Sequence, residues 1–212
     1  NTFMGDGYNL LSGAFDITGF DLYPVNNSGT DYTGLKITIY VWGAVNTTGT
    51  VNATTPAFSN LLNTYTLTTA GTFTNGFYFP FESATPGVTP GITLGAPLTI
   101  PSSTVGLTFA YQGTTDGVNF ASANGLSSTI AGGPAPTVGS DVFNGYYRNA
   151  NSETNGNFTS SLRSLGGIGA QQSVMVRVYG DAVPEPSTLA LVPGGVGLLL
   201  FLRRKGLRKS RV

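Results

Sequence analysis

"LKITIYVW", Leu35 to Trp42, alternates without a slip. Leu35, Ile37, Ile39 and Val41 fall on one face of an extended chain, and Lys36, Thr38, Tyr40 and Trp42 fall on the other. Successive side chains of a strand point to opposite sides, so this period of two reads as a half-buried strand. The period recurs in "VGLTFAYQ", where Val105, Leu107, Phe109 and Tyr111 oppose Gly106, Thr108, Ala110 and Gln112. It recurs in "SVMVRVYG", with Val174, Val176 and Val178 against Met175, Arg177 and Tyr179, and in "GFYFPFE", where Phe77, Phe79 and Phe81 alternate.

Turn signals separate these runs: "NNSG", "NTTG", "TNG", "TDG", "ANG", "FNG" and "TNGN". Asn, Asp and Gly tolerate the left-handed backbone that tight turns require. Weaker strands are expected at Ala14–Tyr23, Thr64–Thr68, Leu98–Ile100 and Val118–Ala121. No segment of the body shows a helical period, and its Gly, Thr, Asn and Ser are poor or middling helix formers. The expectation is an all-β fold: an antiparallel β-sandwich, jelly-roll-like, with Ser173–Gly180 as its last strand. The Gly-, Pro- and Asn-rich stretch from Gly125 to Asn157 reads as a large surface loop or as short irregular strands. There is no internal repeat and no sign of a second globular domain.

Composition removes several chemistries. Only 9% of the 212 residues are charged, and there is no Cys and no His. That excludes disulfides, thiol nucleophiles, cysteine or histidine metal sites, and the commonest general base. Positive charge is unevenly spread: Arg203, Arg204, Lys205, Arg208, Lys209 and Arg211 crowd the last ten positions. Residues 1–182 keep four basic residues against nine acidic ones. Nucleic-acid binding needs clustered Lys and Arg facing phosphates, so no nucleic-acid partner is expected for the body.

The end of the chain is a different material. After Pro184, Glu185, Pro186 and Ser187 comes an uncharged run from Thr188 to Leu202: Thr188, Leu189, Leu191, Val192, Val196, Leu198, Leu199, Leu200, Phe201 and Leu202 carry its apolar surface. As a helix it spans roughly 22 Å, against a hydrocarbon core of ~30 Å. Pro193, Gly194, Gly195 and Gly197 weaken that helix. The basic cluster after it suits a membrane segment whose positive end stays cytoplasmic, and long basic side chains can snorkel to relieve the mismatch. The two prolines hold the preceding peptide extended, ready to thread into a processing enzyme.

The Pro-Glu-Pro tripeptide, apolar run and basic cluster at the C-terminus together resemble the PEP-CTERM sorting signal of exported bacterial proteins. The resemblance covers about the last 30 residues; the proline and glycines at 193–195 are its one departure. It implies recognition by an exosortase, a membrane-embedded processing enzyme. It also implies cleavage near Pro184–Pro186 and delivery to the envelope or an extracellular polysaccharide matrix. The expected division is residues 1–182 as an extracytoplasmic sandwich and 183–212 as the sorting signal, with a leader preceding Asn1. The opening "FDITGFDLYPV" followed by "LKITIYVWGAV" is also similar to small exported sandwich domains that precede such tails.

The body itself offers little chemistry to read. Glycoside hydrolysis needs two carboxylates across a bond; Glu82 and Glu153 are the body's glutamates, and both lie in turn-rich stretches. No Gly-x-Ser-x-Gly turn and no phosphate-cradling loop is present. Asp16 and Asp21 flank "ITGF" and Asp116 precedes Gly117, but the dense Asp/Asn/Gly alternation of a calcium loop is missing. No metal and no cofactor is therefore assigned. Sequons at Asn26, Asn46, Asn52 and Asn157 read as exposed polar turns. Carbohydrate binding is the main alternative activity: Tyr40, Trp42, Tyr146 and Tyr147 are the rings available to stack on a sugar, unless Tyr40 and Trp42 pack under a loop or in the second half of the core. The leading expectation is a non-enzymatic exported surface or matrix protein. A carbohydrate-binding module stands second, and a jelly-roll hydrolase or lyase third.

Overall fold

In a computed structural model of the chain, residues 3–10, 13–46, 56–133, 140–142, 146–149 and 171–183 are described. They form antiparallel β-sheets, and no helix occurs among them. In chain order the strands are β1 (Phe3–Asn9), β2 (Phe15–Leu22), β3 (Pro24–Asn26), β4 (Tyr32–Val45), β5 (Phe58–Phe73), β6 (Phe77–Tyr78) and β7 (Ile92–Ile100). Next come β8 (Thr104–Thr114), β9 (Leu126–Ser128), β10 (Ile130–Gly133), β11 (Ser140–Asp141), β12 (Tyr147–Asn149), β13 (Gln171–Val174) and β14 (Val176–Ala182).

One layer is a six-stranded sheet in the order β11-β1-β8-β4-β5, with β12 also on β1. The strand containing "LKITIYVW" sits near its middle, β4 between β8 and β5. Three small sheets join end to end opposite it. Tyr23 alone separates β2 from β3, Thr129 separates β9 from β10, and Met175 separates β13 from β14. The amide of Thr129 donates to Tyr23 O and that of Met175 to Thr129 O, both at 2.8 Å, so these junctions stay hydrogen-bonded.

The alternation in the sequence predicts the core side correctly. Leu35, Ile37, Ile39 and Val41 are buried, as are Val105, Leu107, Phe109 and Tyr111. They form one cluster with Phe15, Ile17, Phe20, Leu22, Ile100 and Val174 from the small sheets. Two layers sharing one apolar interior is the arrangement of a β-sandwich. Each fully buried aliphatic or aromatic side chain contributes about 1.5–3 kcal/mol there.

Local expectations fare unevenly. Ala14–Tyr23 becomes β2, Thr64–Thr68 lies inside the longer β5, and Leu98–Ile100 is the end of β7. Val118–Ala121 is not a strand: Val118 is exposed, and only Ala121 bridges back, to Gly113. There Asp116 accepts from the amides of Val118 and Asn119 at 2.9 and 2.8 Å, which fixes a turn instead. In "GFYFPFE" pairing stops after Tyr78, and Pro80, with no N–H to give, precedes a lone bridge between Phe81 and Leu22. The stretch from Gly125 to Asn157 contributes the short strands β9 to β12, and part of it lies outside the described residues.

Candidate functional site

The outer face of the β4–β8 pair carries Tyr40 and Trp42, and Tyr147 of β12 joins their cluster, whereas Tyr146 belongs to the main core. Three of the four rings are not surface platforms. Trp42 is 7% exposed, and its Nε1 donates to Thr108 Oγ1 at 3.0 Å. Tyr40 stacks on it at 6.3 Å and 28°; Phe58 lies 6.4 Å away on another side. Tyr147 meets Phe58 edge-on at 5.4 Å and is fully buried. Phe3, Ala57 and Ala110 complete a second core cluster. The trough exists because β8 presents small residues on this face. A Cβ on Gly106 would sit 2.5 Å from Phe58 Cδ1, so only glycine lets that ring lie on the strand.

The expectation that Trp42, Tyr146 and Tyr147 stack on a sugar is therefore corrected. Trp42 and Tyr147 are consumed by this cluster, and Tyr146 is buried in the main core. Burial also pushes the Tyr147 hydroxyl up to about 12, with the nearby Asp6 charge adding to it. Tyr40 is half-buried and keeps part of its ring in solvent; burial raises its hydroxyl as well. The large exposed rings are instead Phe77 and Tyr78 on β6, at 62% and 63%. Phe79 and Phe81 turn inward against Phe73, at 5.1 and 6.3 Å. Alternation alone gives no signal that Phe77 leaves the face of those two.

The densest polar constellation lies where β2 meets β14. Asp21 is wholly buried. Its Oδ2 accepts from Arg177 Nη1 and Tyr179 Oη, each at 2.6 Å, and its Oδ1 accepts from the Gly91 amide at 2.7 Å. Tyr179 Oη in turn accepts from the Gly87 amide at 2.7 Å. Tyr23 Oη donates to Glu82 Oε2 at 2.9 Å, and burial followed by that bond pushes the Tyr23 hydroxyl up to about 12. These bonds fasten the 82–91 loop to the sheet. Both Asp21 oxygens are spent on donors of the fold, which is the chemistry of a clamp rather than of a proton shuttle.

Sequence reading missed Asp6. On β1, Met4, Asp6 and Tyr8 share the inward face, so a carboxylate enters the sandwich. It accepts from the Gly7 amide at 2.8 Å and from Ser173 Oγ and the Val174 amide, both at 2.9 Å. Burial, then the charge of Asp141, hold its carboxyl well above the usual range, and the three donors pull it partly back. Tyr8 donates to Val174 O at 2.8 Å, so β1 grips β13 twice. Period two would have placed Asp6 inward, had the glycines of "FMGDGYN" not diluted the apolar pattern.

The residues weighed for calcium are held apart. Asp16 accepts from Thr99 Oγ1 at 2.5 Å, and Asp116 serves its own turn, whose donors pull its carboxyl well below the usual range. Among the described residues no three His, Cys, Asp or Glu gather as metal ligands. Glu153, the Pro184–Ser187 motif, the apolar run to Leu202 and the basic cluster to Arg211 lie outside the described residues. No helix among the described residues is long and apolar enough to cross a membrane. The last described backbone bond runs from the Val183 amide to Ala14 O, at 2.9 Å. A scan of protein-family models finds no match to the chain, and neither curated proteins nor solved structures give one.

Proposed function

We propose that the chain is an exported bacterial surface or matrix protein: a non-enzymatic sandwich carried by a C-terminal address. The address is the Pro-Glu-Pro motif, a single transmembrane helix over the apolar run, and the basic stop. An exosortase-type enzyme reads it in the inner membrane, with the body outside and the C-terminus cytoplasmic, and passes the body to the cell surface or an extracellular polysaccharide matrix. The observation that carries this reading is the junction. β14 pairs with β2 through Ala182, Val183 adds one more bond, and the motif starts at the next residue. Every described strand ends at or before Ala182, so in this reading cleavage in the motif leaves the described strands in one piece. For the wrapping, an eight-stranded jelly roll has two layers of four. In this reading the sandwich is jelly-roll-like, its principal described strands running β1-β8-β4-β5 in one layer and β14-β2-β7 in the other.

The test is the C-terminal mass of the protein isolated from its host with and without the processing enzyme. Loss of the tail near Pro184–Pro186 only when the enzyme is present supports the proposal. A full-length chain in the membrane of both cells contradicts it. Carbohydrate binding is a second reading, and Phe77 and Tyr78 favour it rather than the buried rings. Glycan affinity lost in Tyr78→Ala but kept in Trp42→Phe would support it.

A further inference from the structure

Among the described residues, one long edge of the six-stranded layer carries no further strand, and there, between Asn63 and Ala70, only the Thr64 amide has a side-chain acceptor, Asn63 Oδ1 at 2.8 Å. β5 runs for 16 residues and pairs only with β4; no described strand lies on its outer side. Its register with β4 is unbroken from Asn63 to Ala70, between irregularities at either end. A row of unpaired N–H and C=O groups is a template for another strand, and proteins usually blunt such edges with charge, proline or bulges. The outer strands of the opposite layer are blunted in this way. β7 contains Pro97 and a register break, and β14 contains Arg177, Asp181 and a bulge. β5 has none of this between Asn63 and Ala70, and no charged residue occurs anywhere between Lys36 and Glu82.

What fits this edge is the edge itself. Thr64, Thr66 and Thr68 are exposed on one face; Tyr65 and Leu67 are half-buried on the other and pack against the core. Two β5 strands set antiparallel about a two-fold axis through Thr66 bring like against like. Thr66 faces Thr66, Thr64 faces Thr68, and Tyr65 faces Leu67. Threonine–threonine and aromatic–aliphatic cross-strand pairs are favourable, and no charge opposes the approach. From these observations we infer that β5 joins β5 of a second copy of this chain, fusing two six-stranded layers into one continuous sheet. Because the same edge serves both copies, the contact closes as a dimer rather than growing into a fibre.

The chain has no cysteine, so single thiols report this register cleanly. In the full chain in mild detergent, Thr66→Cys should link to itself through a short bifunctional thiol reagent. Thr68→Cys alone should link about tenfold less, its two thiols lying four residues apart, roughly 13 Å along the strand. Mixing Thr64→Cys with Thr68→Cys should restore the link. Sedimentation should give twice the chain mass for the wild type and the single mass for Thr66→Lys, which sets two charges face to face; Trp42 fluorescence checks that this variant stays folded. A single-chain mass for the wild type at high concentration overturns the inference. So does linking that ignores register, or a dimer that survives Thr66→Lys.

Discussion

The two faces of β8 are built from the same ladder and behave differently. Val105, Leu107, Phe109 and Tyr111 face a two-layer interior, and each is at most 1% exposed. Gly106, Thr108 and Ala110 face the other way, where an ordinary sandwich sheet meets water. Here they are buried too, under Trp42, Phe58 and Tyr147. The inner face is held by many branched and aromatic side chains, the outer by a few large rings over a trough of small ones. Alternation says which residues share a side; it does not say whether that side is covered.

The inner face should be the more costly to damage. Phe109→Ala should cost about 3–5 kcal/mol in urea unfolding, because it opens a cavity that neighbours from both layers cannot fill. If the outer cluster is a true second core, Trp42→Ala should cost about 2–3 kcal/mol. A Trp42→Ala protein as stable as the wild type would return that face to the solvent and to ligands. Gly106→Ala should cost about 1–3 kcal/mol by forcing Phe58 off the strand, though it removes no contact at all. Thr108→Val, which strands the Trp42 Nε1 donor, should cost about 1 kcal/mol.

The smallest expected signal is a pH trend from the one carboxylate on the inner side of β1. The Asp6 carboxyl is raised in the folded state. Its stabilising contribution is therefore fully present below its unfolded value, about 3.9, and is lost as pH rises through the folded one. The stability of the wild type relative to Asp6→Asn should fall from about pH 4 upward. A constant difference would mean that Asp6 titrates normally.

The inner face was legible because a strict period of two survives in β4 and β8, where nearly every alternate residue is branched or aromatic. The outer cluster was not, because its parts come from five separate strands and Ala57, and nothing in "LKITIYVW" announces that Phe58 will lie on Gly106. β1 was hidden by its glycines, and Val118–Ala121 was misread because the hydrogen bonds of Asp116 outweigh a weak strand preference. Of the polar constellation, Asp21 and Glu82 were visible as residues. Their partners, Arg177 and Tyr23, lie 156 and 59 positions away and meet them only through pairing.

The proposed function requires a body that is complete at Val183, with the residues after it serving only as an address. Trp42, the chain's single tryptophan, sits in the outer cluster and reports its integrity. The direct measurement is the urea midpoint, by Trp42 fluorescence, of the chain ending at Val183 against the full chain in the same mild detergent. A body complete at Val183 gives the same midpoint and the same slope in both. A lower midpoint, or no cooperative transition, in the shorter chain would mean that the tail belongs to the fold, and that cleavage could not release a folded body.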